Sequence, residues 1–328
     1  MANVRVFTAC QIEFKGTSPA RDLLERAGFE VVFQEASPGS PDEETRARLA
    51  GVHALIAGSE RIHAPTLDLA DCLKIVARNG VGYDRVDLEA CTARGIMVTN
   101  TPGAMADAVA DQAMALILAL VRQVVAADRT VKAGGYDVAM GEDLAAMTLG
   151  VVGCGSIGAE VVRRAVAFKM RVLACDPPVD PGRIAALGAT PVSLEELLPQ
   201  CDVVSLHLPL VRENEDMVDA AFLGRMKPGS LLINTARGGL VDEPALIAAL
   251  ARGHLAGAGL DCQATEPPTG TSLELVRMEQ VVALPHSGSK TYAARRRMAV
   301  VAAQSILDRL QGRVPQHLVN REVLERHQ

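Results

Sequence analysis

Three ionisable residues stand just past short apolar runs in the C-terminal half of the sequence: Arg237 after LLINTA, Glu266 after GLDCQAT and His286 after VVALP. A guanidinium can grip a carboxylate and polarise a neighbouring carbonyl, an imidazole can give or take a proton near neutral pH, and a carboxylate can orient that imidazole. If the apolar runs are parallel strands, their carboxyl ends share one crevice, the place where open α/β sheets bind ligands. Together the three residues suit interconversion of a 2-hydroxy acid and a 2-keto acid. Singly, each has a plainer use: a loop arginine as a surface ion pair, a glutamate before two prolines as a turn residue, a histidine as a strand cap. Residue type and spacing alone leave both readings open.

A second group of residues is suited to holding a cofactor. The stretch LGVVGCGSIGAEVVRRA places Gly153, Gly155 and Gly158 in G-x-G-x-x-G spacing, with an apolar strand pattern before it and a helical pattern after it. Gly153 permits a tight turn, Gly155 lets the backbone approach a pyrophosphate, and Gly158 lets the helix pack on the strand. Free N–H groups at the start of that helix would face the phosphates. Asp176 ends the next strand pattern, RVLAC, 21 residues beyond Gly155, where an acid binds ribose hydroxyls. A carboxylate there repels a 2′-phosphate, so the pattern predicts NAD rather than NADP.

The elements that must position these residues fall into two series. VRVF (4–7), EVVF (30–33), ALIAG (54–58), KIVAR (74–78) and IMVTN (96–100) alternate with helical stretches such as PARDLLERAG and DEETRARLAG. LGVVG (149–153), RVLAC (171–175), DVVSLHL (202–208), LLINT (231–235), AGAGLD (256–261) and VVAL (281–284) form the second series, with helices between most of them. Strand and helix in alternation predict parallel sheets with right-handed crossovers, hence an α/β protein of two doubly wound domains with a boundary near Thr101. Between the series, apolar spacing predicts one helix from about Met105 to Lys132, its AMALILALV centre apolar on every side and so buried between layers. A last helix, Tyr292 to Leu310, follows the completed second sheet and stops at Gly312.

Composition excludes other classes. Over 328 residues, 49% hydrophobic and 22% charged residues describe a folded chain of about two domains. The net charge of -6, with scattered basic residues, argues against a nucleic-acid partner. The N-terminus has no basic region and apolar core of a signal peptide, and no apolar run approaches the roughly 20 residues of a membrane span, so a cytoplasmic protein is expected. Seven cysteines without C-x-x-C or zinc spacing predict neither a disulfide framework nor a metal site.

The motifs ARNGVGYDRVDLEACTARGIMVTNTPG, LGVVGCGSIG, LLINTARGGLVDEPAL, GAGLDCQATEPP and LPHSGS follow one another in the order and spacing of a known family. Over nearly its whole length the chain resembles the NAD-dependent D-2-hydroxyacid dehydrogenases, which include phosphoglycerate dehydrogenases and glyoxylate/hydroxypyruvate reductases. The resemblance implies a flavodoxin-like substrate-binding domain made of residues 1–100 plus 290–328, and a Rossmann NAD-binding domain of residues 101–289. The last helix then returns to complete the first domain, and the long central helix is the contact of a homodimer. It implies that Arg237 binds the substrate carboxylate and carbonyl, His286 is the acid/base and Glu266 supports the imidazole. Ser156 and Ile157 would lie on the pyrophosphate, Asp176 on the ribose, and Leu208, Thr235, Ala236 and Asp261 along the adenine and nicotinamide ends. Arg78, Val81 and Gly82 match the segment that meets substrate from the other domain, although Arg78 also reads as a surface residue.

Departures from the family pattern bear on substrate more than on reaction. They are Asp111 for the common Glu, Tyr136 for Trp, Cys154 for Leu and Ser287 for an apolar residue. Ala57 stands where some phosphoglycerate-specific members carry an arginine, and the sequence ends at residue 328 without a regulatory domain, both of which point away from phosphoglycerate. Lys290 replaces a small residue and could read a second anionic group on the substrate. Arg295, Arg296 and Arg297 read as an exposed face of the last helix, pairing with nearby acids. The competing function is an NAD(H)-sensing binding protein, because some relatives serve in transcriptional corepression. An L-2-hydroxyacid dehydrogenase would open with its glycine motif, which here comes only after about 150 residues. Formate or phosphonate oxidation uses the same scaffold but ranks below keto-acid chemistry.

Overall fold

The computed structural model describes residues 4–8, 12–34, 47–58, 60–137 and 139–327. It divides into two compact units, residues 1–105 with 291–328, and residues 106–290. Residues 42–46 of the DEETRARLAG stretch lie outside the described residues.

In the first unit β1 (Arg5–Thr8), β2 (Glu30–Phe33), β3 (Ala54–Ala57), β4 (Ile75–Arg78) and β5 (Met97–Thr99) form a sheet in the order β2-β1-β3-β4-β5. Every pair is parallel, with Val6 opposite Val31 and Ala54. A parallel sheet must be covered on both faces, and alternate residues accordingly enter two cores. Val6, Ile56, Ile75 and Ala77 pack against Ala299, Ala302, Ala303 and Ile306 of the Tyr292–Leu310 helix, while Phe7, Leu55, Val76 and Val98 pack with Ala90 and Cys91 on the other side. The final helix therefore belongs to the first sheet's core. Burying a side chain such as Ile306 is worth roughly 1.5–3 kcal/mol.

The second unit contains β6 (Thr148–Val152), β7 (Arg171–Cys175), β8 (Thr190–Pro191), β9 (Val203–Leu206), β10 (Ser230–Asn234), β11 (Leu255–Leu260) and β12 (Val281–Ala283). They lie in the order β12-β11-β10-β9-β6-β7-β8, again all parallel. The chain runs outward from β6 to β8, then returns to β9 on the other side of β6. The gap between the carboxyl ends of β6 and β9 is thus the topological switch point, where ligands bind in sheets of this kind. Both sheets are doubly wound, as the alternating pattern predicts. Two-residue β8 escaped the sequence reading because it is too short to show a period.

The single helix expected from Met105 to Lys132 is two helices, Ala106–Val121 and Val124–Lys132, bent by 59°. Gln123 adopts φ 49 between them and ends the first helix. Val121 is the last residue of that helix to reach the core, and the second helix buries nothing, so no packing holds the chain on a straight path. The AMALILALV stretch is largely buried against the sheet, but Ala115 is exposed and Leu118 to Leu120 only partly covered. No single helix among the described residues is long and apolar enough to cross a membrane.

Candidate active site

The glycine motif is built as its spacing requires. Gly153 follows β6 with φ +92, and a Cβ there would meet the His207 carbonyl oxygen at 2.7 Å. A Cβ on Gly158 would lie 2.0 Å from the Gly153 carbonyl, so only glycine lets the Ser156–Ala167 helix sit this close to the turn. Gly155 has no atom within 4 Å of its Cβ position and is the N-cap without a side-chain cap. That position leaves room for a phosphate beside uncapped helix N–H groups. Ser156 is exposed and Ile157 half-buried at the start of the helix. Asp176, just past β7, accepts the Cys154 backbone N–H through Oδ2 at 2.6 Å, which ties the turn to the neighbouring strand end. Leu208 lies against Gly153, its Cδ2 2.9 Å from the glycine's Cβ position.

At the other side of the switch point, β10, β11 and β12 are adjacent and parallel, so the residues after them share one edge of the sheet. His286 presents Nδ1 to both carboxylate oxygens of Glu266, each at 3.0 Å. The ring is 46% exposed, and with Nδ1 occupied, Nε2 is the nitrogen left to exchange a proton with a ligand. Arg237 lies in the turn after β10. Asn234 shapes that turn, its Oδ1 accepting from the Ala236 N–H at 2.9 Å and its Nδ2 donating to the Arg237 carbonyl at 2.7 Å. Gly238 then packs so closely on the loop after β11 that a Cβ would come within 2.1 Å of the Gln263 backbone. The buried Cys262 thiol registers the charges gathered here: burial pushes its pKa up, Glu266 and Asp261 push it further, and Arg237 opposes them. A neutral thiol in that position is inert.

Two buried carboxylates hold these loops. Asp261 is 2% exposed, its Oδ1 accepting from the Ser287 N–H at 2.8 Å and its Oδ2 from the Gly288 N–H at 2.7 Å. The His286 N–H donates to the Asp261 carbonyl at 2.8 Å. His286 needs these bonds because its φ of 49 is left-handed, a conformation costing about 1–3 kcal/mol in a non-glycine residue. Glu243, 6% exposed, accepts from the Ala264 N–H at 2.9 Å and from the Ser272 hydroxyl at 2.7 Å, and Ser272 Oγ accepts from the Thr265 N–H at 3.1 Å. The loop leading into Glu266 is therefore anchored on a desolvated acid. Neither Glu243, Asn234 nor Gly238 was found from the sequence. Their partners lie next in space, and only the recurrence of charged or small residues in NTARGGLVDE hinted at them.

The remaining sequence candidates divide by unit. Thr235 and Ala236 are buried after β10, and Thr235 Oγ1 has no hydrogen-bond partner among the described residues. His207, in the turn after β9, was not singled out by sequence. Its Nε2 lies 2.8 Å from Ser205 Oγ, its Nδ1 is buried without a partner among the described residues, and burial lowers its pKa to about 4. Two such orphaned atoms and the open Gly155 face beside the switch point fit a ligand rich in hydroxyl and phosphate groups. Lys290 Nζ donates to the Pro285 carbonyl at 3.3 Å, folding back over the turn that carries His286.

In the first unit, Arg78 is half-buried, donating from Nε to the Gly82 carbonyl at 2.9 Å and from Nη1 to the Ala57 carbonyl at 3.1 Å. Asn100 Nδ2 donates to the Val81 carbonyl at 2.8 Å. Arg78 is thus a brace for the loop after β4 and not a plain surface residue. On the last helix Arg296 and Arg297 are exposed, as the sequence predicts, and the half-buried Arg295 pairs with an acid, Glu13, at 2.7 Å; Arg297 Nε also donates to the Ala104 carbonyl at 2.8 Å. Among the other departures, Asp111 pairs with Arg164 at 2.7 Å, Tyr136 is almost fully exposed, and Cys154 and Ala57 are buried. Among the described residues no group of three or more His, Cys, Asp or Glu could hold a metal.

A doubly wound sheet with a glycine turn at its switch point and a guanidinium, imidazole and carboxylate along the adjoining strand ends defines a dinucleotide-dependent oxidoreductase. Residues 114–288 match the D-isomer specific 2-hydroxyacid dehydrogenase NAD binding domain. The chain is 40% identical over 328 residues to the glyoxylate reductase of Korarchaeum cryptofilum, covering 98% of this chain and 97% of that one. It is 42% identical over 268 residues to the D-3-phosphoglycerate dehydrogenase of Mycobacterium tuberculosis, covering 81% of this chain and 50% of that one. Among solved structures, the TT0316 protein of Thermus thermophilus matches with a TM-score of 0.85 and 42% identity over 96% of this chain and 100% of that one. The D-lactate dehydrogenase of Aquifex aeolicus, complexed with NAD and lactic acid, matches with a TM-score of 0.84 and 28% identity over 96% and 99%. The chain belongs to the NAD-dependent D-2-hydroxyacid dehydrogenase family, oxidoreductases that pass a hydride between NAD and a 2-hydroxy or 2-keto acid.

Proposed function

We propose that this enzyme reduces small 2-keto acids of the glyoxylate and hydroxypyruvate class with NADH, using Arg237, Glu266 and His286. The observation that carries the reading is the His286 Nδ1 contact to both Glu266 oxygens at 3.0 Å, made in the loop system that also carries Arg237. The guanidinium takes the substrate carboxylate and polarises its carbonyl. Glu266 fixes the imidazole with Nε2 outward, and Nε2 gives its proton to the carbonyl oxygen as the alkoxide develops. In the reverse direction the same nitrogen, unprotonated, takes the hydroxyl proton. When bound, the nicotinamide supplies or accepts the hydride.

Gly153, Gly155, Ser156, Ile157 and Gly158 would hold the pyrophosphate through helix N–H groups. Asp176 keeps one oxygen on the Cys154 amide and can offer the other to the ribose, which favours NAD over NADP. Leu208, Thr235, Ala236 and Asp261 would complete the cofactor site, Arg78, Val81 and Gly82 would contact substrate, and the first unit is the substrate domain in this reading. The substrate class rests on the likeness to the glyoxylate reductases over 98% of this chain, and on Ala57. Association into a homodimer is supported by the exposed Val124, Val131, Tyr136 and Met140 in and after the second half of the bent helix pair. A cytoplasmic location is supported by the free thiols of all six described cysteines.

The deciding experiment follows oxidation of NADH and NADPH with glyoxylate, hydroxypyruvate, 3-phosphohydroxypyruvate, pyruvate and 2-oxoglutarate. Steady NADH turnover with the first two is expected. Tight NADH binding without turnover of any keto acid would replace the reductase with an NAD(H) sensor.

A further inference from the structure

Resting on the acid–base role of His286, we propose that Ser287 and Gln112 are positioning residues that lock the His286 turn through a directional hydrogen-bond chain. His286 is left-handed and exposed, so the placing of its ring depends on the hydrogen bonds that hold the turn, including those from the residues that follow it. Ser287 supplies two of the bonds that do so, its N–H donating to Asp261 Oδ1 at 2.8 Å and its hydroxyl donating to the same oxygen at 3.2 Å. Gln112, on the Ala106–Val121 helix, donates from Nε2 to Ser287 Oγ at 3.4 Å. An amide N–H donating into that oxygen leaves the single hydroxyl hydrogen for Asp261, so the chain has one polarity, Gln112 to Ser287 to Asp261.

The chain links three separated elements: a helix whose buried face packs on the sheet, the end of β11, and the turn after β12. Gly288 closes the same arrangement, because a Cβ there would come within 3.0 Å of Asp261 Oδ2 and 3.4 Å of Val109 on that helix. An apolar side chain at position 287 would keep the backbone bond to Asp261 and lose the side-chain link to the helix. The serine therefore provides this protein with a second tether between the acid–base residue and a rigid element, and the expected consequence is in catalysis more than in folding.

The test measures NADH-dependent glyoxylate reduction, NADH affinity by fluorescence and thermal stability for wild type, Ser287→Ala, Ser287→Thr, Gln112→Ala and the double Ser287→Ala/Gln112→Ala variant. Ser287→Ala should lower kcat on the order of tenfold, with KM for glyoxylate and affinity for NADH within about twofold. Ser287→Thr, which keeps the hydroxyl, should recover most of the rate. Gln112→Ala should lose about threefold, and the double variant should match Ser287→Ala alone, because the two residues act in one chain. Wild-type kcat in Ser287→Ala, failure of threonine to rescue, or losses that multiply in the double variant would overturn the proposal. If Ser287→Ala does not fold, wild-type kcat in Gln112→Ala overturns it and a selective kcat loss there supports it. Absence of keto-acid turnover by wild type would instead sink the reductase reading, and this inference with it.

Discussion

The two turns that frame the site are held by opposite means. At the carboxyl end of β6 the turn is shaped by missing side chains: Gly153 must be left-handed beside the His207 carbonyl, and Gly158 must admit the Gly153 oxygen. At the ends of β11 and β12 the loops are shaped by added groups, the buried carboxylates of Asp261, which accepts the Ser287 and Gly288 N–H groups beside His286, and Glu243, which accepts the Ala264 N–H and the Ser272 hydroxyl in the loop leading to Glu266. A steric cradle suits a cofactor, whose backbone contacts need only close approach. A carboxylate scaffold suits an acid–base pair, whose rings and oxygens must be aimed.

The contrast can be broken most severely at His286. His286→Asn should reduce kcat for keto-acid reduction by about 10²–10⁴-fold while NADH binding by fluorescence persists. Loss of both together would mean that the two turns are not separate devices. Next in size is the steric side. Gly158→Ala forces a contact of 2.0 Å with backbone and should destabilise the fold, by about 1–3 kcal/mol, and abolish NADH binding. Gly155→Ala, whose Cβ meets nothing within 4 Å, should leave unfolding within about 0.5 kcal/mol of wild type and still weaken NADH. Calorimetry beside NADH titration separates the two outcomes.

On the carboxylate side, Asp261→Asn turns one acceptor into a donor facing a backbone N–H and should cost about 1–3 kcal/mol, read as a lower denaturant midpoint and a loss of kcat. His207 marks the boundary between the two regions and makes stability depend on pH. Burial holds its pKa at about 4 against 6.5, so the unfolded chain binds the proton first, and the contribution present above pH 6.5 is lost as pH falls toward about 4. Replacing His207 with Gln should flatten that part of the stability profile. The smallest effect is expected at Lys290, where Lys290→Ala should raise KM for a phosphorylated keto acid more than for glyoxylate if its ammonium, now on the Pro285 carbonyl, also reads a second anion. Equal KM changes for both substrates would assign it to the turn alone.

The same contrast explains what could be read in advance. Glycine sterics act over a few residues, so G-x-G-x-x-G announced the tight turn after β6 and the close approach of the helix that follows it. Parallel strands buried on both faces likewise appear as continuous apolar runs, with ends displaced by only a residue or so, as at Ile75–Arg78. The carboxylate scaffold joins residues some 20 to 30 positions apart, such as Glu243 with Ser272 and Asp261 with Gly288, and no local period encodes such pairs. The break at Gln123 was hidden for a related reason. Helical spacing continues through it in ADAVADQAMALILALV and VVAADRTVK, and only the loss of a core to pack against shows why the helix stops.

The proton-transfer role of the His286–Glu266 pair is tested most directly by measuring pre-steady-state rates in both directions across pH, with NADH plus glyoxylate and with NAD plus the corresponding hydroxy acid. Reduction needs the protonated imidazole and oxidation the free base, so the reductive rate should fall and the oxidative rate rise over the same pH interval, with both slopes absent in His286→Asn. Rates that move in parallel, or the same opposed slopes in the His286→Asn enzyme, would contradict the account.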